Sequence, residues 1–320
     1  MSETRPRVAV VGAGAFGRNH LRVIRESGRA ELAGVYDADD QRCRTAAAEF
    51  GCRAFHSLDE AAGSAVAAVV ATPTTSHREV GCTLLDAGLD VLVEKPIAVT
   101  TGEAQQMVSA ASRGGRILQV GHLERFNPAI ETLTKIVDRP LFFEIHRLSV
   151  FTPRSLDVDV VADLMIHDLD IVLSLTRAMP EEVRAAGISV LSERVDIANV
   201  RLAFPGGVVA NLTASRVSTE KVRKLRLFQP RQYISVDYAR RDCVAISVGP
   251  DRNVKIEPQH VGQGEPLARQ FDSFLACVAS RGMPVVDGIA AARALDLAQQ
   301  IVARIDEHAR LVARSLVQET

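Results

Sequence analysis

The 320-residue chain predicts an α/β fold in two parts. A parallel sheet covered by helices comes first, followed by an α+β domain on a large, open, mainly antiparallel sheet. Three observations carry this. Up to residue 122, short apolar runs alternate with helical stretches, as in a parallel sheet buried on both faces. A glycine-rich turn, GAGAFG at 12–17, stands between the first run and the first helix. Beyond residue 122 the alternation stops, and strand follows strand across turn residues.

In the first part RVAVVGAG, ELAGVYD, AVAAVVATP, DVLVEKP and RILQVGH are strands rich in Val, Ile, Leu and Ala. Between them RNHLRVIRES, TSHREVGCTLLDAG and TGEAQQMVSAASRGG place apolar residues at helical spacing, and DDQRCRTAAAEFG relies on its alanines. Gly51, Gly88 and Gly114 close three of these helices. The second part opens with a short helix, NPAIETLTKIVD, and the strand PLFFEIHRLSVF. A helix over 160–175 follows, then the strands EEVRAAGISV, DIANVRLAFPG, GVVANLTASRV, KVRKLRLFQP, QYISVDYA and CVAISVG, with turns at PGG and GPDRN. Two helices, from Glu265 and from Gly288, end the chain. The expected division is a first domain over 1–124 and a second domain over 125–320, the final helices packing back on the first.

Composition is ordinary for a globular protein, at 47% hydrophobic and 24% charged. A net charge of −1 draws the chain neither to nucleic acid nor to a membrane surface. No apolar run reaches the roughly 18–20 residues that span a bilayer, and no signal-peptide core follows the polar start. The five cysteines lack CxxC spacing, so neither disulfides nor a structural zinc site is expected, and the cytoplasm is the expected location.

Gly12, Gly14 and Gly17 form GxGxxG directly between a strand and a helix. The first permits the tight turn, the second lets a diphosphate approach the backbone, and the third allows close helix–strand packing. The helix start offers its free N–H groups to the phosphates. Asp37 ends the second strand about 20 residues on, where a carboxylate accepts the ribose hydroxyls and repels a 2′-phosphate. Arg42 is near in sequence, but no arginine directly follows Asp37, so NAD is expected over NADP. FAD shares the fingerprint, and a turn without ligand is the plain alternative.

The segment VVADLMIHDLDIVLSL is largely apolar yet carries Asp163, His167, Asp168 and Asp170. On a helix Asp163 and His167 stand at i, i+4 and share a face that Asp170 continues, while Asp168 points elsewhere. One face then packs and the other presents an acid and an imidazole to a reaction cleft. A satisfied polar patch or cap is the plain alternative. A divalent metal on the pair lacks a third ligand in the sequence, and no metal is expected. Oxidising an alcohol needs a base for the hydroxyl proton while hydride leaves the same carbon, and histidine titrates near neutrality. Lys95, in VEKP at the C-terminal end of a parallel strand, is the candidate cation, on a turn set by Pro96.

VVGAGAFGRNH, ATPTTSH at 71–77, VEKP at 93–96 and DLMIHDLD at 163–170 together resemble the glucose–fructose oxidoreductase/inositol dehydrogenase/rhizopine-catabolism family over nearly the whole chain. The resemblance implies a Rossmann domain and a second domain whose open sheet mediates homodimers or homotetramers. It implies that Lys95 and His167 handle the proton and the reacting hydroxyl, with Asp163 holding a neighbouring sugar hydroxyl. It also implies an NAD site lined by the glycine turn with Ala15 and Phe16, by Asp37, by Thr72, Pro73 and His77, and by Glu94 and Lys95. Two departures stand out: Ile166 replaces the usual glycine before the histidine, and DVDVVA replaces the glycines often found ahead of the aspartate.

For the substrate, His122, Arg125 and Asn127 in GHLERFNPAI follow the last strand of the first domain, and Arg147 and Arg154 precede the 160–175 helix. Arginine forks match carboxylate or phosphate oxygens, so three of them point to an anionic substrate. GHLERFNPAI and the run over 157–170 look like those of family members that oxidise the 3-hydroxyl of UDP-N-acetylglucosamine. That likeness implies a nucleotide-sugar substrate and coupling to a sugar aminotransferase for the 3-amino sugars of lipid A or other surface glycans. A uronic-acid counterpart of that substrate, an inositol or free-sugar dehydrogenase, and a non-catalytic nucleotide-binding regulator are the alternatives.

Overall fold

A computed structural model describes residues 5–152 and 158–318. The chain divides into two units, residues 1–126 with 264–292, and residues 127–263 with 293–320.

In the first unit the elements are β1 (Arg7–Val11), α1 (Ala15–Ser27), β2 (Glu31–Tyr36), α2 (Asp40–Phe50), α3 (Leu58–Ser64), β3 (Ala67–Val70), α4 (Thr74–Asp86), β4 (Asp90–Glu94), α5 (Thr101–Gly114) and β5 (Leu118–Gly121). All strands are parallel, in the order β2-β1-β3-β4-β5. Val8, Val10, Val69 and Leu92 are wholly buried, as strands covered on both faces must be. The helix α3 escapes the sequence expectation although it carries a start signal. Ser57 accepts from Glu60 N at 3.1 Å, and Glu60 accepts from His56 N at 2.7 Å. Gly51 closes α2 in the left-handed conformation, while α5 ends one residue later than expected, on Gly115.

The second unit contains α6 (Pro128–Ile136), β6 (Phe142–Val150), a π-turn (Val161–Met165), α7 (Ile166–Thr176), β7 (Glu182–Ile188), β8 (Ile197–Ala203), β9 (Val209–Ser218), β10 (Val222–Gln229), β11 (Gln232–Asp237), β12 (Asp242–Val248) and β13 (Val254–Pro258). The helix α8 (Pro266–Ser280) belongs to the first unit, and α9 (Gly288–Gln318) has its first residues counted there. Eight strands run in the order β13-β12-β11-β10-β6-β9-β8-β7. Every neighbouring pair is antiparallel except β6 and β9. One face carries the core, with Phe143, Ile145, Leu212, Leu225, Leu227 and Ile234 packed under α6, α7 and the later turns of α9. The alternate residues Glu144, His146, Arg226 and Phe228 stand half-buried or exposed on the other face.

The approach to α7 is held by a buried carboxylate. Asp196, wholly inaccessible to solvent, accepts from the N–H groups of Val190, Leu191 and Ser192 and from the Ser192 hydroxyl. Arg216, 3.7 Å from Asp196, donates to Val158 O, and Val160 N donates to Val195 O at 3.0 Å. Burial alone would raise the Asp196 carboxyl, but the Ser192 hydroxyl and the N–H groups of Val190, Leu191 and Ser192 outweigh it and bring it down to about 2. A folded value below the unfolded one stabilises above the unfolded value and ceases to as pH falls through the folded value. Asp196 therefore stabilises by on the order of 2 kcal/mol at neutral pH, a contribution lost between about pH 4 and pH 2. In denaturant titrations across that window, Asp196→Asn should be less stable at neutral pH and flatter towards acid. Parallel curves for parent and variant would remove Asp196 from this role.

Candidate active site

In the first unit the glycine turn has the geometry a diphosphate needs. Gly12 has φ +100, and a methyl there would lie 2.6 Å from Ala71 O. A methyl on Gly17 would overlap Gly12 O, at 1.8 Å. By contrast, a methyl on Gly14 would meet no protein atom within 4 Å, so the space over the turn is left for something other than protein. Gly14 also starts α1 with no side-chain cap, leaving the N–H groups of Ala15 and Phe16 at the helix start. Phe16 stands 52% exposed there.

Asp37, just beyond β2, accepts from Ala13 N at 2.7 Å through one oxygen and from Asp39 N at 2.9 Å through the other. It thus braces the turn from the position that meets the ribose of a dinucleotide. Arg42 Nη1 lies 3.6 Å from Asp37, and Nη2 donates to Asp39 at 3.2 Å, so two carboxylates hold this arginine. These residues fit NAD.

Glu94 ends β4, Lys95 follows it directly, and the Lys95–Pro96 bond is cis. Glu94 Oε1 lies 2.7 Å from Nε2 of His20, a wholly buried residue of α1. Sequence reasoning missed His20, although it closes the VVGAGAFGRNH motif. Thr72 and Pro73 form the turn between β3 and α4, and Pro73 precedes the first turn of that helix. His77, expected to contact NAD, is instead buried, 1% exposed. Nδ1 lies 2.9 Å from Pro96 O and Nε2 3.0 Å from Thr72 O. Burial pushes its pKa down against those carbonyls and the Glu94 charge. Both nitrogens face protein carbonyls and the ring has no open edge, so direct cofactor contact is replaced by an internal strut.

In the second unit Asp163 and His167 flank the junction of the π-turn with α7, where a regular helix was expected. Ile166 N donates to Val161 O, the i−5 partner that defines a π-turn, and such turns recur at functional sites. Asp159 starts the turn, its side chain accepting from Ala162 N at 2.8 Å and its carbonyl from Asp163 N at 3.1 Å. One residue of DVDVVA is thereby put to use as a cap. Asp163 and His167 are half-buried. Ile166 is wholly buried and belongs to the core. Asp170, expected on the face of His167, is buried as well.

The residues offered to the substrate separate. Arg147 is 2% exposed and grips Asp168 with two hydrogen bonds, Nε to Oδ2 at 2.7 Å and Nη2 to Oδ1 at 2.8 Å. Its guanidinium also lies 5.3 Å from the centre of the Tyr238 ring. The fork expected for a substrate anion is therefore occupied by a protein carboxylate. Asn127 caps α6, accepting from Ala129 N at 3.1 Å and donating to Tyr238 O at 3.3 Å. Its buried side chain takes a structural part, one that Asn-Pro before a helical run announces. His122 is buried too. Arg125 is half-buried on a 3-10 turn, with Nη2 3.5 Å from Val285 O. Arg154 lies outside the described residues.

A parallel sheet with this turn and this acid binds a nicotinamide dinucleotide, and the class is an NAD-dependent oxidoreductase. Residues 6–122 match the model of the oxidoreductase family with an NAD-binding Rossmann fold, and residues 140–234 match the GFO/IDH/MocA C-terminal domain. The chain is 36% identical over 301 residues to a UDP-N-acetylglucosamine 3-dehydrogenase from Acidithiobacillus ferrooxidans, covering 92% of this chain and 96% of the relative. A solved structure of an enzyme of that name from the same organism superposes with a TM-score of 0.90, over 95% of this chain and 98% of that one. An inositol 2-dehydrogenase from Rhizobium meliloti is 24% identical over 93% of this chain and 97% of its own. The chain belongs to the Gfo/Idh/MocA family of oxidoreductases. Among the described residues no helix is long and apolar enough to cross a membrane.

Proposed function

We propose that this enzyme oxidises the 3-hydroxyl of UDP-N-acetylglucosamine to the 3-oxo nucleotide sugar. The observation that carries the reading is the 36% identity, sustained over 92% of the chain, to a relative of that activity. The full-length inositol dehydrogenase comparison falls to 24%. Bound NAD supplies the acceptor for the hydride that leaves C3. His167 takes the proton of the 3-hydroxyl as the C=O bond forms, and the Lys95 ammonium steadies the charge on that oxygen. Asp163 accepts from a neighbouring sugar hydroxyl. Arg125 and Arg154 are the arginines left for the diphosphate, since Arg147 is held by Asp168.

The product is a ketone beside an acetamido carbon, the substrate type of an aminotransferase, and we assign it to 3-amino sugar synthesis for lipid A or another surface glycan. Cytoplasmic placement agrees with the five cysteines, all free thiols. We also propose that the uncovered sheet face joins two or more copies of the chain. Its Phe142, Phe228 and Tyr233 rings cluster at centroid distances of 5.7 and 4.9 Å, beside the half-buried or exposed Ile246, Val248 and Ile256. Light scattering should then give a multiple of the chain mass, and a monomer at micromolar concentration would end that proposal.

The substrate test is NADH formation at 340 nm with UDP-N-acetylglucosamine, its uronic acid, UDP-glucose, myo-inositol and glucose. An aminotransferase with its amino donor draws off the ketone. Turnover confined to UDP-N-acetylglucosamine is expected. Preference for myo-inositol or glucose overturns the substrate and keeps the oxidoreductase.

A further inference from the structure

The strands β3 and β4 are neighbours in the first sheet, and each ends in a turn that bears on the cofactor and the chemistry. Thr72 stands in the turn after β3, close against the glycine loop, with a methyl on Gly12 lying 2.8 Å from Thr72 N. Pro96 follows Lys95 in the turn after β4. A single imidazole spans the two turns. His77 Nδ1 is 2.9 Å from Pro96 O, and Nε2 is 3.0 Å from Thr72 O.

A carbonyl oxygen only accepts. A neutral imidazole has one N–H and serves one of the two carbonyls, whereas the imidazolium serves both. The ring is 1% exposed, so no water competes for these contacts. The side chain comes from the first turns of α4, the helix that β3 feeds.

We propose that His77 is a positioning residue for Lys95, holding the peptide after the lysine at a set distance from the turn that abuts the glycine loop. His77 acquires this role only through Lys95, whose part in the reaction is itself proposed above. The ring is closed to direct contact with NAD, so its loss acts on the lysine and not on cofactor affinity.

The test compares His77→Leu, which removes the ring's polar contacts with both turns, with His77→Gln, whose amide N–H groups can still donate to a carbonyl. Both are made in the parent and in Lys95→Ala, with folding checked by circular dichroism and melting temperature. We expect kcat to fall about 10- to 100-fold in His77→Leu and less in His77→Gln, the scale of a displaced catalytic group. Dissociation constants for NADH, read from its own fluorescence, should stay within about twofold, as expected when ground-state binding is untouched. On top of Lys95→Ala, either change should cost no further kcat, because the group being positioned is already gone. A raised NADH dissociation constant with kcat unchanged overturns the positioning role and makes His77 a cofactor-site residue. Losses that add fully to that of Lys95→Ala overturn it as well. Parental turnover in Lys95→Ala removes the lysine's role and this inference together. If the leucine variant does not fold, His77→Gln alone decides between these outcomes.

Discussion

Replacing His167 with alanine should cut turnover by roughly 10²- to 10⁴-fold, the usual worth of a positioned general base, while NAD binding stays at the parent's level. Alcohol oxidation is slow without proton removal because hydride departure from C3 would leave a protonated carbonyl. His167 is half-buried at the start of α7, and its chain neighbours Ile166 and Leu169 belong to the core. The glycine turn and Asp37 lie in the first unit and His167 in the second. Stopped-flow turnover with a parallel NADH titration reads both quantities. Near-parental turnover in His167→Ala would assign the proton to another group.

The largest stability effect is expected at Arg147. Its guanidinium and the Asp168 carboxylate are each 2% exposed and share two short hydrogen bonds. Truncating one member of such a pair leaves the other charge buried without its main partner, a cost of about 3–5 kcal/mol. Arg147→Ala should therefore lower the urea midpoint of the second unit's transition steeply. Replacing both partners with apolar residues of similar volume should recover most of the loss, because an intact pair adds little over good apolar packing. Asp168 directly follows His167, so the single variant should also lose turnover where the double variant regains it. An unchanged midpoint in Arg147→Ala would show that the fork carries no stability.

For Arg147 the strand itself carries the signal. Phe143, Ile145 and Arg147 share one parity of β6, the buried one, while Phe142, Glu144 and His146 share the other. Residue type suggested an anion site, whereas period-two alternation points to a core ion pair. Asn127 repeats the lesson, since Asn-Pro is a helix start before it is a ligand contact. The cofactor end was legible because each glycine answers a local backbone demand: positive φ at Gly12, backbone overlap at Gly17, open space at Gly14. The parallel sheet was legible from its unbroken apolar runs. The π-turn was not, because period-based reasoning assumes a constant rise and turn, and one extra residue per turn leaves no mark in composition. The edge strand β13 was missed because all five of its residues are exposed, so burial imprints no alternation on them. His77 was legible as part of a motif but not in its role, since only the fold brings Thr72 and Pro96 to either side of one ring.

The most direct test of the central claim is isotopic. UDP-N-acetylglucosamine carrying deuterium at C3 is incubated with the enzyme and NAD, and the reduced nicotinamide is analysed by NMR together with the rate. Deuterium at C4 of the nicotinamide and a primary isotope effect are predicted, with neither arising from substrate labelled at C2 or C4 of the sugar. Reduction of NAD with the label still on C3 would contradict oxidation at that carbon.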